Sequence, residues 1–445
     1  MQTPICDFVK KYAESNALRM HMPGHKGKQL LGMELYDITE IDGADSLYEA
    51  NGIIMESEKN AGELFQANTF YSAEGSSLSI RAMLYLAVLD AKRKGRKPLI
   101  AAGRNAHKVF VNTGALLDFD VMWLYSKAES YLSCNISAEE LEQQLSSGAE
   151  KPTAVYITSP DYLGNMADID AIAKVCHAHD SLLLVDNAHG AYLKFLPESL
   201  HPMDLGADLC CDSAHKTLPA LTGASYLHIA KDAPGFMKEQ ARQALALFGS
   251  TSPSYLILQS LDRLNAYLCD GYREKLALFL QQVGAWKTRI LAHGYVLTGD
   301  EPLKLTLATK AYGYEGKEFT DLLKEKNIVC EFADPDFVVL MLTPELEEAG
   351  LRQIEDALYG IEKRAPIMTK PPTTWIPERA MSIRQAMLSP CEAVTAVASL
   401  GRVLAMANVG CPPAVPILVC GEKIDAKARD AFLYYGIESC FAVIE

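Results

Sequence analysis

Strand-like and helix-like segments alternate between residues 77 and 229, and this alternation limits the fold more than any other feature of the chain. Apolar runs at 99–102, 120–124, 154–158, 182–186, 209–212 and 224–229 read as strands. Apolar residues at helical spacing over 77–94, 105–116, 138–145 and 169–179 place a helix between most of them. Strands joined by single helices favour right-handed crossovers and a mainly parallel sheet buried on both faces. The pattern predicts a large α/β domain, and such sheets bind ligands beyond the carboxyl ends of their strands.

From Tyr255 the pattern changes. Residues 260–291 carry long helical periodicity with few breakers. Strand signals then appear at 304–308 and 338–343, and helix signals at 317–326 and 345–364. The segment 365–377 holds Pro366, Pro371, Pro372 and Pro377 and reads as a linker. The expected organisation is a large domain over residues 1–270, a smaller α+β domain over 271–365, and a linker with a distinct C-terminal part over 366–445.

Composition removes several classes of function. Lys and Arg number 42 against 56 Asp and Glu, a formal charge of −14. Such a chain is a poor match for nucleic acid or an anionic membrane surface. No apolar run approaches the roughly 20 residues of a membrane span, and the N-terminus has no apolar core after a basic start, so no signal peptide is expected. The odd count of 11 cysteines, their irregular spacing and the chain length argue against a secreted disulfide framework, and the lack of C-x-x-C argues against a zinc ribbon or a thioredoxin motif; no metal centre is expected. A cytoplasmic protein with buried, reduced cysteines is expected.

Four clusters sit at strand ends or helix starts. Ser213-Ala-His215-Lys216-Thr217 follows the 209–212 strand. A lysine there is either an ordinary turn lysine or a nucleophile toward a carbonyl, its amine pKa lowered by its neighbours. The 182–186 strand delivers Asp186, followed by His189 and Gly190. A carboxylate at that position is a turn or cap residue, or it holds a proton on a cationic ring nitrogen. Glu74-Gly75-Ser76-Ser77 precedes a helix and reads as a plain cap or as an anion cradle. Arg104-Asn-Ala-His107-Lys108 is a solvated helix start, or it supplies an imidazole that stacks on an aromatic ring. The order of the four clusters through one α/β domain, with Asp186 and Lys216 about one helix-plus-strand step apart, suggests a pyridoxal phosphate site.

These stretches, with His21-Met-Pro-Gly-His-Lys-Gly27, Ser159-Pro-Asp-Tyr-Leu-Gly164, Thr251-Ser-Pro-Ser-Tyr255 and Cys411-Pro-Pro-Ala-Val-Pro416, resemble the short form of the Orn/Lys/Arg decarboxylase family, which lacks the receiver-like N-terminal wing domain. The matches run nearly end to end in family order. The resemblance implies a fold-type-I large domain and decarboxylation of arginine, lysine or ornithine to the amine, in polyamine biosynthesis. Pyridoxal 5'-phosphate would be held as a Schiff base on Lys216. Asp186 would pair with the ring nitrogen, and His107 would stack on the ring. Gly75, Ser76, Ser77, Ser213 and His215 would hold the phosphate, and His189 would sit beside the reacting carbon. Thr251 and Ser252 would complete the phosphate site of a neighbouring subunit, which implies a homodimer with shared sites.

The chain departs from the family pattern at Val109, Asn187, Gly223 and Ala414. A cationic substrate side chain needs an acidic contact, for which Glu40, Asp42, Asp45 or acids of the C-terminal part are available by type. Two other readings remain open from sequence. One is an aminotransferase or another fold-type-I lyase, with Arg352, Arg364, Arg379, Arg384 or Arg402 clamping the α-carboxylate. The other is a non-catalytic paralogue that binds the cofactor.

Overall fold

The apolar runs become strands in the computed structural model, which describes residues 1–126, 130–148, 150–406 and 413–444. Cys411 and Pro412 of the C-terminal motif lie outside the described residues. The described chain divides into two compact units. One contains Met1–Arg96 and Ile169–Ala277, the other Lys97–Asp168 and Leu278–Glu445.

In the first unit, strands Asn68–Ser72, Ser225–Ile229, Leu209–Asp212 and Leu182–Asp186 lie side by side in that order. Leu182–Asp186 runs parallel to Leu209–Asp212, and the other two pairings are antiparallel. Every residue of Leu182–Asp186 is buried. That explains its unbroken apolar sequence, since a strand covered on both faces has no polar alternation. Each such aliphatic side chain stabilises the fold by about 1.5–3 kcal/mol. Helix Ser76–Arg93 buries eleven residues.

In the second unit, Ala154–Thr158, Leu99–Gly103 and Asp120–Leu124 form a parallel set. Two antiparallel sheets accompany it. One has the order Phe332–Ala333, Phe337–Met341, Lys304–Ala308, Leu297–Thr298, and the other the order Cys391–Thr395, Ser439–Val443, Leu404–Met406.

The helical periodicity over 260–291 belongs to two helices, Tyr255–Cys269 and Tyr272–Ala292. Between them Gly271 takes φ +74, a left-handed turn that glycine adopts without steric cost. The helix expected from residue 105 starts at Lys108, because the His107 ring caps it: Nδ1 accepts the Val109 N–H at 3.2 Å. Among the described residues, no helix is long and apolar enough to cross a membrane.

Candidate active site

Three strands of the first unit, Asn68–Ser72, Leu182–Asp186 and Leu209–Asp212, deliver most of the nominated residues just beyond their carboxyl ends. After Leu209–Asp212 the chain makes one short helix, Ala214–Thr217. This turn presents Lys216 so that Nζ lies 3.0 Å from His189 Nε2. Amine and imidazole can therefore exchange a proton directly. His215, on the same turn, points Nδ1 at the Ala224 carbonyl at 2.9 Å. Burial lowers its pKa, and the charge of Lys216 adds to this. With Nδ1–H donated to the carbonyl, Nε2 donates only when the ring takes a second proton, which a phosphate dianion would favour.

Asp186 is 3% exposed. Its Oδ1 accepts the Ala188 N–H at 3.3 Å and the Cys211 thiol at 3.6 Å. Burial pushes the Cys211 thiol well up, so it stays protonated and donates. The neighbouring strand thereby fixes the carboxylate's rotamer.

Gly75, at φ +70, turns the chain into helix Ser76–Arg93. Open space surrounds the position of its missing Cβ, so backbone conformation, not crowding, calls for glycine there. Gly75 N–H donates to the Gly223 carbonyl at 2.8 Å. Gly223, at φ +98, would bring a Cβ within 2.9 Å of the Ala73 carbonyl oxygen. This departure from the family pattern therefore serves the cradle directly. Ser213 Oγ donates to Ser76 Oγ at 2.9 Å. Two hydroxyls and the first N–H groups of an 18-residue helix converge there, a donor set suited to a phosphate.

Thr251 and Ser252 are exposed. Their segment is tied to the cradle through Ser250, whose N–H donates to Glu74 Oε1 at 2.6 Å. Among the described residues, no hydrogen bond joins Thr251 or Ser252 to Ser76, Ser77 or Ser213 of the same chain.

His107 belongs to the second unit. Its neighbour Lys108 donates its N–H to the Ala414 carbonyl at 2.8 Å, so the C-terminal motif reaches this helix start. Ala414 sits at φ +56, where the family pattern has a glycine that would be free of strain. Arg104 is not the solvated residue of a plain helix start. It donates to Glu422 at 2.7 Å and lies 4.9 Å over the Trp123 ring. Asp45 is not available to a substrate side chain either. Its two buried oxygens accept the backbone N–H groups of Ser46, Asn51, Gly52 and Ile54.

The residue that sequence reading missed is Asp212, 0% exposed at the base of the Lys216 turn. Its Oδ2 meets His201 Nε2 at 3.0 Å and His228 Nε2 at 3.1 Å, and its Oδ1 accepts from Asn187 Nδ2 at 2.7 Å. Asn187, another departure, thus ties the loop after Asp186 to the strand that leads into the Lys216 turn. Burial alone would raise the Asp212 carboxyl. The two imidazoles outweigh it and hold the group well below the usual carboxylate range. Asp212→Ala is expected to cost about 3–5 kcal/mol, because it strands buried polar partners. Denaturant unfolding of both proteins measures this, and a loss below about 1 kcal/mol would contradict it. Since the folded-state pKa is depressed, the carboxylate's contribution is lost as pH falls below roughly 4.

The Orn/Lys/Arg decarboxylase major-domain model matches residues 3–291. The chain belongs to the Orn/Lys/Arg decarboxylase family. It is 29% identical to an arginine decarboxylase of Halalkalibacterium halodurans, over 95% of this chain and 91% of that protein. It is 28% identical to an arginine decarboxylase of Bacillus subtilis, with the same shares covered. Among solved structures, lysine decarboxylase A from Pseudomonas aeruginosa superposes with a TM-score of 0.82 at 17% identity, covering 99% of this chain and 80% of that one. A Francisella novicida lysine decarboxylase gives 0.81 at 16%, covering 100% and 81%. This family member is therefore a decarboxylase, and its fold is the α/β fold of fold-type-I enzymes expected from the sequence.

Proposed function

We propose that this decarboxylase acts on a basic amino acid, arginine, lysine or ornithine, and releases carbon dioxide and the corresponding amine in polyamine biosynthesis in the cytoplasm. Its cofactor is pyridoxal 5'-phosphate. The observation that carries this reading is the contact between Lys216 Nζ and His189 Nε2 in the unit that also holds Asp186 and the Ser76–Ser213 hydroxyl pair. The donor set fits the cofactor: a primary amine, a buried carboxylate and a helix N-terminus with two hydroxyls. Lys216 would carry it covalently. Ser76, Ser77, Ser213 and His215 would hold the phosphate, and His107 would stack on the ring. When bound, the cofactor supplies an electron sink for the carbon–carbon bond that breaks.

The chain's own residues supply the rest. Asp186 would hold a proton on the cofactor's ring nitrogen. The Cys211 thiol keeps that carboxylate oriented. His189 takes a proton from Lys216 and returns one, and either group can protonate the substrate carbon after carbon dioxide leaves. An aminotransferase reading needs an arginine free to clamp the α-carboxylate. Arg352 pairs with Glu348, Arg364 with Glu318, Arg379 with Asp120 and Arg402 with Glu392. Arg384 donates to the Ala115 and Leu116 carbonyls.

We further read residues 1–270 as the cofactor-binding domain, 271–365 as the small domain and 366–445 as the linker and C-terminal family domain. A homodimer, in which the partner's copies of the exposed Thr251 and Ser252 complete each phosphate site, suits this arrangement. Sedimentation equilibrium checks the assembly, and a fully active monomer would remove the shared-site role.

Carbon dioxide release from arginine, lysine and ornithine, with mass-spectrometric identification of the amine, tests the function. One substrate of the three should give release. Release from none by cofactor-loaded enzyme would overturn the proposed reaction.

A further inference from the structure

The second unit contains a cavity of about 550 Å³ lined by none of the residues assigned to the reaction above. Its walls include Tyr131, Phe332, Tyr434 and Tyr435. The Tyr131 and Tyr435 rings meet edge-on at 4.7 Å, and those of Tyr434 and Tyr435 at 4.9 Å. Asp334 also lines the cavity and is 8% exposed. One of its oxygens is occupied: Oδ1 accepts the N–H groups of Asp336 at 2.8 Å and Phe337 at 2.7 Å. Oδ2 is buried and has no hydrogen-bond partner among the described residues, and the same holds for the Tyr435 hydroxyl.

An unpartnered carboxylate oxygen in such a place is costly, because desolvation is not offset. The nearest buried cation does not relieve it. Lys310 Nζ is spent on Asp336 Oδ1 at 2.9 Å and on the Tyr434 hydroxyl at 2.6 Å. Lys317 is exposed at the rim together with Glu315.

Aromatic faces around an unpaired buried carboxylate form a receptor for an organic cation. We propose that this cavity is a second small-molecule site, which binds an alkylammonium or guanidinium cation that lacks an α-carboxylate. The absence of a carboxylate follows from the charges facing the cavity. Of the charged residues that line the cavity, Asp334 and Glu315 outnumber Lys317, and an added anion would be repelled. Di- and polyamines, or a decarboxylated guanidino amine, have the required chemistry. The site stands independently of the substrate assigned above.

Burial pushes the Asp334 carboxyl up to about 7. Cation uptake therefore displaces a proton, and affinity should rise between roughly pH 6 and pH 8. The other titratable groups lining the cavity are Glu315, Lys317, Tyr131, Tyr434 and Tyr435, with the Lys310–Asp336 pair behind Tyr434.

Equilibrium dialysis of the cofactor-loaded full chain with radiolabelled putrescine and agmatine tests the site. Asp334→Asn retains the Oδ1 acceptor for the two N–H groups, so the turn is preserved while the charge is lost. This variant should bind at least one of the amines about tenfold more weakly, or worse, and keep its carbon dioxide release. Tyr435→Phe removes only a hydroxyl. It should also weaken binding, and it carries the test alone if Asp334→Asn fails to fold. Equal amine binding by wild type and the folded variants would overturn the site. Dialysis of arginine and ornithine against Lys216→Ala, which cannot consume them, separates the ligand classes. Binding of these amino acids that is as tight as the amines and sensitive to Asp334→Asn would overturn the assignment to carboxylate-free cations.

Discussion

Lys216→Ala should release no measurable carbon dioxide from any basic amino acid, while the protein keeps its fold. The lysine is half-buried on a short helix, and its removal deletes no part of the apolar core. Circular dichroism and thermal melting should therefore match wild type closely. Activity loses two contributions at once. One is the amine that would carry the proposed cofactor. The other is proton exchange with His189 at 3.0 Å, and general acid–base catalysis alone is typically worth roughly 10²–10⁴-fold. Lys216→Arg separates charge from chemistry. It restores a cation near His189 but offers no amine that deprotonates at working pH, so it should be as inactive as alanine. Turnover by either variant above one hundredth of wild type would remove Lys216 from its role.

The strands that hold these residues were legible because their physics is local. Asp120–Leu124, Ala154–Thr158, Leu182–Asp186 and Leu209–Asp212 begin and end where their apolar runs do. Buried parallel strands have no other sequence signature. The places of the nominated residues were legible for a related reason, since strand ends in an α/β sheet are where function collects. What was not legible depends on contacts distant in sequence. Nothing near Asp212 announces His201 and His228, which reach it from another loop and another strand. The correct signal would have been two histidines in otherwise apolar surroundings beside a strand-end aspartate. Asp45 looked like a free acid because backbone N–H donors leave no trace in a sequence. Cys391–Thr395 escaped as a strand because its exposure does not alternate, so it lacks period-2 patterning.

Asp186→Asn should lower kcat by about 10²–10³-fold, the usual scale for removing one preorganised electrostatic group, with KM little changed. The substitution is nearly isosteric, and an amide oxygen can still accept from Ala188 N–H and the Cys211 thiol. Packing around the strand end is then retained, and a merely structural role would predict near-normal turnover. What the amide cannot do is hold a proton on the proposed cofactor's ring nitrogen by charge. That interaction would matter most in the proposed chemical step, so its loss should fall there and not on substrate binding. The kcat and KM values of the cofactor-saturated variant decide between the two. A variant with kcat within threefold of wild type would show that Asp186 serves the fold alone. A kcat loss accompanied by an equal rise in KM would point instead to a disturbed pocket. Asp186→Glu supplies the complementary check. It restores the charge in a longer side chain, and partial recovery of kcat over Asp186→Asn would assign the effect to the carboxylate's charge.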